Sequence, residues 1–253
     1  MSSTFDGAAR EALALSTAER SRRIERRFFT GMAVALAVAC FAGFAPSYYL
    51  KSHIDTAALP LRVHVHGAAF SLWMLLLITQ TSLIASGRAH VHRKLGIVGG
   101  VLAIVMVATA AAVIWGRGTT PTPAMPHDFV LRFLALSIVA LLAFSSLIAM
   151  ALHFRRNAAI HKRLMMLATT VMAGAAVHRL LIWLFGPTVG PLAFFGATDL
   201  FIVALCVFDW SSRRKLHPAT LWGGAAVVGS QVAALLLAGS DTWLNFARWA
   251  TGT

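Results

Sequence analysis

The chain is short of charge, and shortest of acid. Only 12% of its 253 residues are Asp, Glu, Lys or Arg, and Asp and Glu together number nine. Soluble domains carry roughly 25% charged residues, so a water-soluble globular fold is excluded. Cysteine is nearly absent too. Cys40 and Cys206 lie inside apolar runs and form no CxxC or CxxCH pattern. That leaves out a disulfide scaffold, a thiolate zinc site and covalently attached haem, and both thiols read as packing residues. There is no internal repeat and no low-complexity segment. No HExxH, HxxxH or HxxEH spacing points to a named metalloenzyme family.

What fills the chain instead is apolar residues, 58% of the total. They fall into seven runs, roughly 28–50, 63–85, 95–115, 129–152, 164–185, 191–208 and 221–238. A helix of about 20 such residues crosses ~30 Å of hydrocarbon. The expected fold class is therefore all-α, an integral membrane bundle of seven transmembrane helices. A basic segment, 1–27, precedes the helical domain, 28–240. A tail, 241–253, carries Trp243, Phe246 and Trp249 and reads as a short amphipathic helix in the outer interface.

The net charge of +13 invites a nucleic-acid partner, but the cations cluster in short loops between apolar runs. That distribution orients a chain in a lipid bilayer. Arg10 to Arg27, Arg88 with Arg93 and Lys94, Arg155 to Arg163, and Arg213 to Lys215 alternate with loops holding only Lys51, Arg62 and Arg117. The N-terminus is expected in the cytoplasm, the C-terminus outside, and the protein in the bacterial inner membrane as a multi-pass chain. Ser16-Thr17-Ala18-Glu19 has capping-box spacing, which predicts a helix start. The Arg20–Arg27 cluster should rest on anionic head groups. This segment is expected not to be a cleavable signal, because the run after it is long enough to span.

Ionisable side chains inside spanning helices are expensive and usually functional. Here they form two layers. The outer layer holds His64, His66, Arg132, His178, Arg179 and Asp199; the inner holds His90, His92, His153, His161, Asp209 and His217. At ~1.5 Å per residue, Arg179 and Asp199 differ in depth by only about 3 Å on helices joined by the short GPTVGP loop. They are expected to form a structural ion pair. His64 and His66 cannot share a helix face. His66 is the inward candidate, with Gln80 returning to nearly the same face four turns on.

Neutral imidazole is a ligand for haem iron and for zinc, copper and non-haem iron. His66 with His178 outside, and His92 with His161 inside, would hold two b-type haems. Such a wire would carry electrons across the membrane and use a quinone or another small-molecule redox partner. Alternatively, His92, His161, His217 and Asp209 hold a Zn, Fe or Cu ion, and His64, His66, His178 and Asp199 a second. A third reading is a proton or ion path without a cofactor. A fourth has the polar groups serve only to hold helices together. The sequence leaves open the substrate, the electron donor and the oligomeric state.

In three segments, HVHGAAFSLWMLLLITQTSLIASGRAHVHRKLG, HKRLMMLATTVMAGAAVHRL and DLFIVALCVFDWSSRRKLHPATLWGG, the chain resembles a family of uncharacterised bacterial polytopic membrane proteins. The matching positions are His64, His66, His92, Arg93, His161, Lys162, Arg163, Arg179, Asp199, Asp209 and His217. In that family a small or apolar residue often stands where His178 stands here. The resemblance implies the seven-helix layout and no particular activity. In layout alone, two layers of histidine on antiparallel helices, the chain is also similar to cytochrome b561, which implies b-type haem.

Overall fold

The computed structural model describes residues 2–54, 58–120 and 125–253, with side chains from Leu15 onward apart from Ala18. The described residues are helices and short turns, with no strand. Helix α1 runs from Ser2 to Phe44 and widens into a π-helical stretch, Ala45–Tyr49, followed by the single turn α2, Lys51–Ile54. Then come α3 (Leu61–Ala85), α4 (Ala89–Gly118), α5 (His127–His153), α6 (Ala158–Phe185), α7 (Pro191–Arg213), α8 (Pro218–Gly239) and α9 (Asp241–Thr251). Seven of these, α1 and α3 to α8, are long and apolar enough to cross a membrane. Their outward residues are apolar as well: Leu75, Ile97, Ile104, Leu142, Val203 and Leu236 are all exposed. Such a surface fits lipid rather than water.

Local chemistry sets the ends. Asn157 caps α6 by accepting from the N–H groups of Ala159 and Ile160. Ser240 caps α9 through the Trp243 N–H. Prolines 191 and 218 occupy the first turns of α7 and α8, where a missing N–H costs nothing. Gly87, at φ +77°, makes the left-handed turn between α3 and α4 that other residues resist. Helix α1 overturns the expected start at Ser16–Glu19, because it is continuous from Ser2. No proline interrupts the stretch, so nothing forces a new N-terminus there. The basic segment and the first span are therefore one helix.

Helix α6 is the hub. It packs on α1, α5, α7 and α8, and Leu164, Met166, Leu167, Ala168, Ala173 and Ala176 along it are buried. The α3–α4 pair packs against α1 and α5. Trp73 of α3 reaches across to donate its indole N–H to Thr169 of α6 at 3.3 Å. The tail helix α9 folds back onto α5 and α8. It buries Trp243, Leu244 and Ala247 and leaves Phe246 and Trp249 exposed. Two ion pairs, Arg132–Asp241 and Arg248–Asp128, clamp it to the start of α5.

A histidine pair and a buried ion pair at one end of the bundle

Antiparallel packing brings the end of α3 alongside the start of α4, and the end of α5 alongside the start of α6. Four helices thereby converge on His92 and His161, whose ring centroids are 6.3 Å apart with planes at 79°. Each imidazole is held at Nδ1. His161 Nδ1 lies 2.8 Å from the Ala151 carbonyl, in the last turn of α5. A carbonyl can only accept, so the proton is on Nδ1 and the His161 Nε2 lone pair is free. The contact also satisfies one of the carbonyls that a helix C-terminus leaves unpaired. His92 is held by Gln80 of α3. With its nitrogen toward the histidine, the Gln80 amide donates to His92 Nδ1 at 2.7 Å and to the His92 carbonyl at 3.2 Å, while its oxygen accepts from the Gly96 N–H at 3.1 Å. Neither Nε2 has a hydrogen-bond partner among the described residues.

Next to this pair lies a fully buried ion pair. Arg163 and Asp209 are both 0% exposed. Arg163 Nε donates to both carboxylate oxygens, at 3.1 and 3.2 Å, its Nη2 donates to Oδ1, and its Nη1 donates to the Ala159 carbonyl. Asp209 also accepts from the Thr220 hydroxyl and from the His217 backbone N–H at 3.2 Å. Its lone pairs are thus well supplied, which a buried carboxylate requires. A second tie surrounds it: Glu25 of α1 pairs with Lys162 and, at 3.9 Å, with Arg213. Lys162 and Arg163 both lie over the Phe29 ring. This network joins α1, α6, α7 and α8.

His217 opens α8. Its Nδ1 accepts the Ala219 N–H at 3.1 Å, a side-chain cap. Burial, then the cations Arg163 and Arg213, hold its imidazole below the usual histidine range, outweighing Asp209. The folded state therefore binds its proton more weakly than the unfolded chain, whose value is near ~6.5. The cap should contribute fully above that pH and be lost as the pH falls from there through the lower folded value. Thermal unfolding in detergent between about pH 7 and 5 checks this. His217→Asn keeps a cap and removes the titration, so its melting curve should be flatter with pH. An unchanged slope would leave the cap without a role.

The remaining expected site residues disperse. His66 contacts Thr109 of α4 through Nδ1 at 3.1 Å. His178 stacks between Phe133 of α5 and Phe194 of α7. The expected outer haem pair is thus not brought together. His64 is exposed beside Tyr48. The expected ion pair Arg179–Asp199 does not form either. Arg179 donates to the Ala175 carbonyl and lies over the Phe44 ring of α1, 5.0 Å from its centroid. Asp199 accepts from Gln231 of α8 at 2.7 Å. The two are not level: His178 packs on Phe194 and Gly174 lies beside Thr198, which sets Asp199 about 9 Å along the bundle from Arg179 at ~1.5 Å per residue, and each side chain finds a different neighbour. The expected inner metal set also separates: His92 and His161 meet, while Asp209 is taken by Arg163 and Thr220, and His217 caps α8. Among the described residues no group of three or more His, Cys, Asp or Glu side chains converges as a metal site.

Two participants, Gln80 and Glu25, and one pairing, Arg163 with Asp209, escaped the sequence reading. Gln80 was assigned to the face of His66, yet it meets His92. Glu25 lies in the basic segment expected to rest on anionic head groups, yet it pairs with Lys162. Arg163 and Asp209 were noted singly and not as partners. A signal existed for the last: with so few acids, each intramembrane carboxylate needs a cation or donor. No protein-family model, curated protein or solved structure matches the chain.

Proposed function

We propose that the protein is a multi-pass membrane protein whose working centre is the His92–His161 pair near the cytoplasmic face, holding a b-type haem or a single redox metal ion. The observation that carries this reading is the apposition of two imidazoles with Nδ1 anchored and Nε2 unengaged. The two rings lie 6.3 Å apart, so His92 and His161 would together hold such a group. An imidazole whose Nδ1–H is held by a carbonyl is oriented and made more basic, the usual support of a ligating histidine. With Gln80 donating, the His92 lone pair is on Nδ1 and its proton on Nε2, so ligation by His92 Nε2 requires the Gln80 amide to turn and give up its bonds to the His92 carbonyl and the Gly96 N–H. Arg26, which donates to the Ala85 carbonyl at the end of α3, and the exposed Arg93 and Lys94 supply cations for acidic cofactor substituents. The bound group would supply one-electron chemistry; the chain supplies position, tautomer and charge. Orientation with this end inside rests on the Lys and Arg asymmetry of the loops.

Absorption spectra and metal content of protein purified from haem- and metal-replete cells test this. The parent should carry a Soret band or about one metal ion per chain. His92→Ala and His161→Ala should each abolish it, Gln80→Leu should weaken retention by about 10–100-fold, and His66→Ala should leave it intact. A colourless, metal-free parent overturns the reading. One observation favours a different role: with Gln80 donating, His92 carries its proton on Nε2 while His161 offers a lone pair there. That arrangement passes a proton between α4 and α6 without any cofactor.

A further inference from the structure

Asp199 is the one intramembrane acid that the ion-pair network does not use. It sits eight residues into α7, or ~12 Å from the helix's first residue at ~1.5 Å per residue. That position lies well within α7, one of the seven helices long and apolar enough to cross a membrane. Its hydrogen-bond partner is the Gln231 amide, a neutral donor. Every helix packed against α7 fails to offer it a cation. On α6, His178 faces Phe133 and Phe194, Arg179 faces Phe44, and Arg163 is committed to Asp209 at the other end. Lys162 and His161 lie at that same far end, bonded to Glu25 and the Ala151 carbonyl. Helix α8 has no ionisable side chain, and the facing part of α1 offers only Cys40. On α7 itself the other groups are Cys206, Asp209 and Arg213, two or more turns away.

Beside it is a cavity of about 40 Å³ between α5, α6, α7 and α8, lined by Thr198, Ser230 and Gln231 among apolar residues that include Val171 and Phe195. At ~10–15 Å³ per water this has room for a few molecules. The Thr198 and Ser230 hydroxyls donate to their own helix, to the Phe194 and Val227 carbonyls, so their lone pairs face outward as acceptors. An ionised carboxylate here would be an uncompensated charge in apolar surroundings, and such a group takes up a proton instead.

We propose that Asp199 is a proton-binding site: a neutral carboxylic acid that accepts from Gln231 and exchanges its proton through the hydrated cavity at Thr198 and Ser230. This site is separate from the histidine pair, so it stands or falls independently of the reading above. The other described acids inside or near the membrane are paired with cations. Asp209 has Arg163, Glu25 has Lys162, Asp128 has Arg248 and Asp241 has Arg132. Those four acids each face a cation, so the carboxyl band that Asp199→Asn removes is the one assigned to Asp199.

Infrared spectroscopy of the reconstituted full-length protein at pH 7 in H2O and D2O reads this directly. The expected result is a protonated-carboxyl carbonyl band that moves to lower frequency in D2O and is missing in Asp199→Asn. Absence of the band at pH 7 overturns the proposal. A band that does not move in D2O also overturns it, because the proton is then sealed in. Should Asp199→Asn not fold, dicyclohexylcarbodiimide, which attacks protonated carboxyls in apolar surroundings, assigns the band in the parent protein. Mass spectrometry should find the adduct on Asp199 and not on Asp209. Labelling elsewhere without Asp199 counts against the proposal.

Discussion

Asp209→Ala is expected to destabilise the detergent-solubilised protein by about 3–5 kcal/mol, the cost typical of stranding one partner of a buried pair. The substitution leaves the Arg163 guanidinium fully buried, with one carbonyl, that of Ala159, as its acceptor. It also orphans the Thr220 hydroxyl and the His217 N–H, which both donate to Asp209. Arg163→Leu should cost a similar amount, because the carboxylate then keeps only neutral donors. The double change Arg163→Leu with Asp209→Leu should recover most of the loss, since two apolar side chains of similar volume avoid the desolvation of two charges. Thermal unfolding of Asp209→Leu, Arg163→Leu and the double variant forms a cycle. A coupling near zero would show that the two residues do not act as a pair. Lys162 and Glu25 sit outside the cycle, and Glu25→Gln should cost far less, about 1 kcal/mol or below, because that pair is partly exposed.

The same network shows what one-dimensional reading reaches. The number of spanning helices, their approximate bounds and the amphipathic tail were legible, because apolar run length and loop charge are properties of the chain alone. Depth within one helix follows from its fixed rise per residue, but the offset and azimuth between helices do not. His178 packs on Phe194 and Gly174 lies beside Thr198, so Arg179 and Asp199 are about 9 Å apart along the bundle rather than level. Each residue also turns about 100° around its helix, and which neighbour sits at that angle depends on the whole packing. Arg179 therefore finds Phe44 of α1, and Asp199 finds Gln231 of α8. For His92 and His161 the inward faces do meet, so that expected pair is found at 6.3 Å. His66 and His178 point to Thr109 and to a phenylalanine sandwich instead. Gln80 was within reach of the same depth logic: it lies five residues before the end of α3, and His92 three residues after the start of α4. Two antiparallel neighbours joined by a tight turn put those positions side by side. Helix α6 is the hub because its run of Ala, Thr and Gly lets four helices approach closely.

Close approach makes the second large effect. Gly43→Ala, near the end of α1, is expected to destabilise the protein by about 3 kcal/mol, at the upper end of ordinary overpacking. A Cβ at Gly43 would lie 2.0 Å from the Ala176 carbonyl oxygen, 2.6 Å from its carbon and 2.9 Å from its Cα. These are backbone atoms of the hub helix and cannot rotate away as a side-chain tip can. The α1–α6 seam would have to part along Ala33, Leu36, Ala37 and Cys40, all buried. Parting it also lifts the Phe44 ring from the Arg179 guanidinium, removing that cation's aromatic contact. Two controls sharpen the test. Gly31→Ala, on the same helix with nothing within 4 Å of the added carbon, should be neutral or stabilising by about 0.5–1 kcal/mol, since alanine favours a helix over glycine. Ala176→Gly should not rescue Gly43→Ala, because the obstruction is the Ala176 main chain and not its methyl. A Gly43→Ala variant melting with the parent would mean that α1 and α6 do not meet at Gly43, and rescue by Ala176→Gly would mean that they meet through side chains.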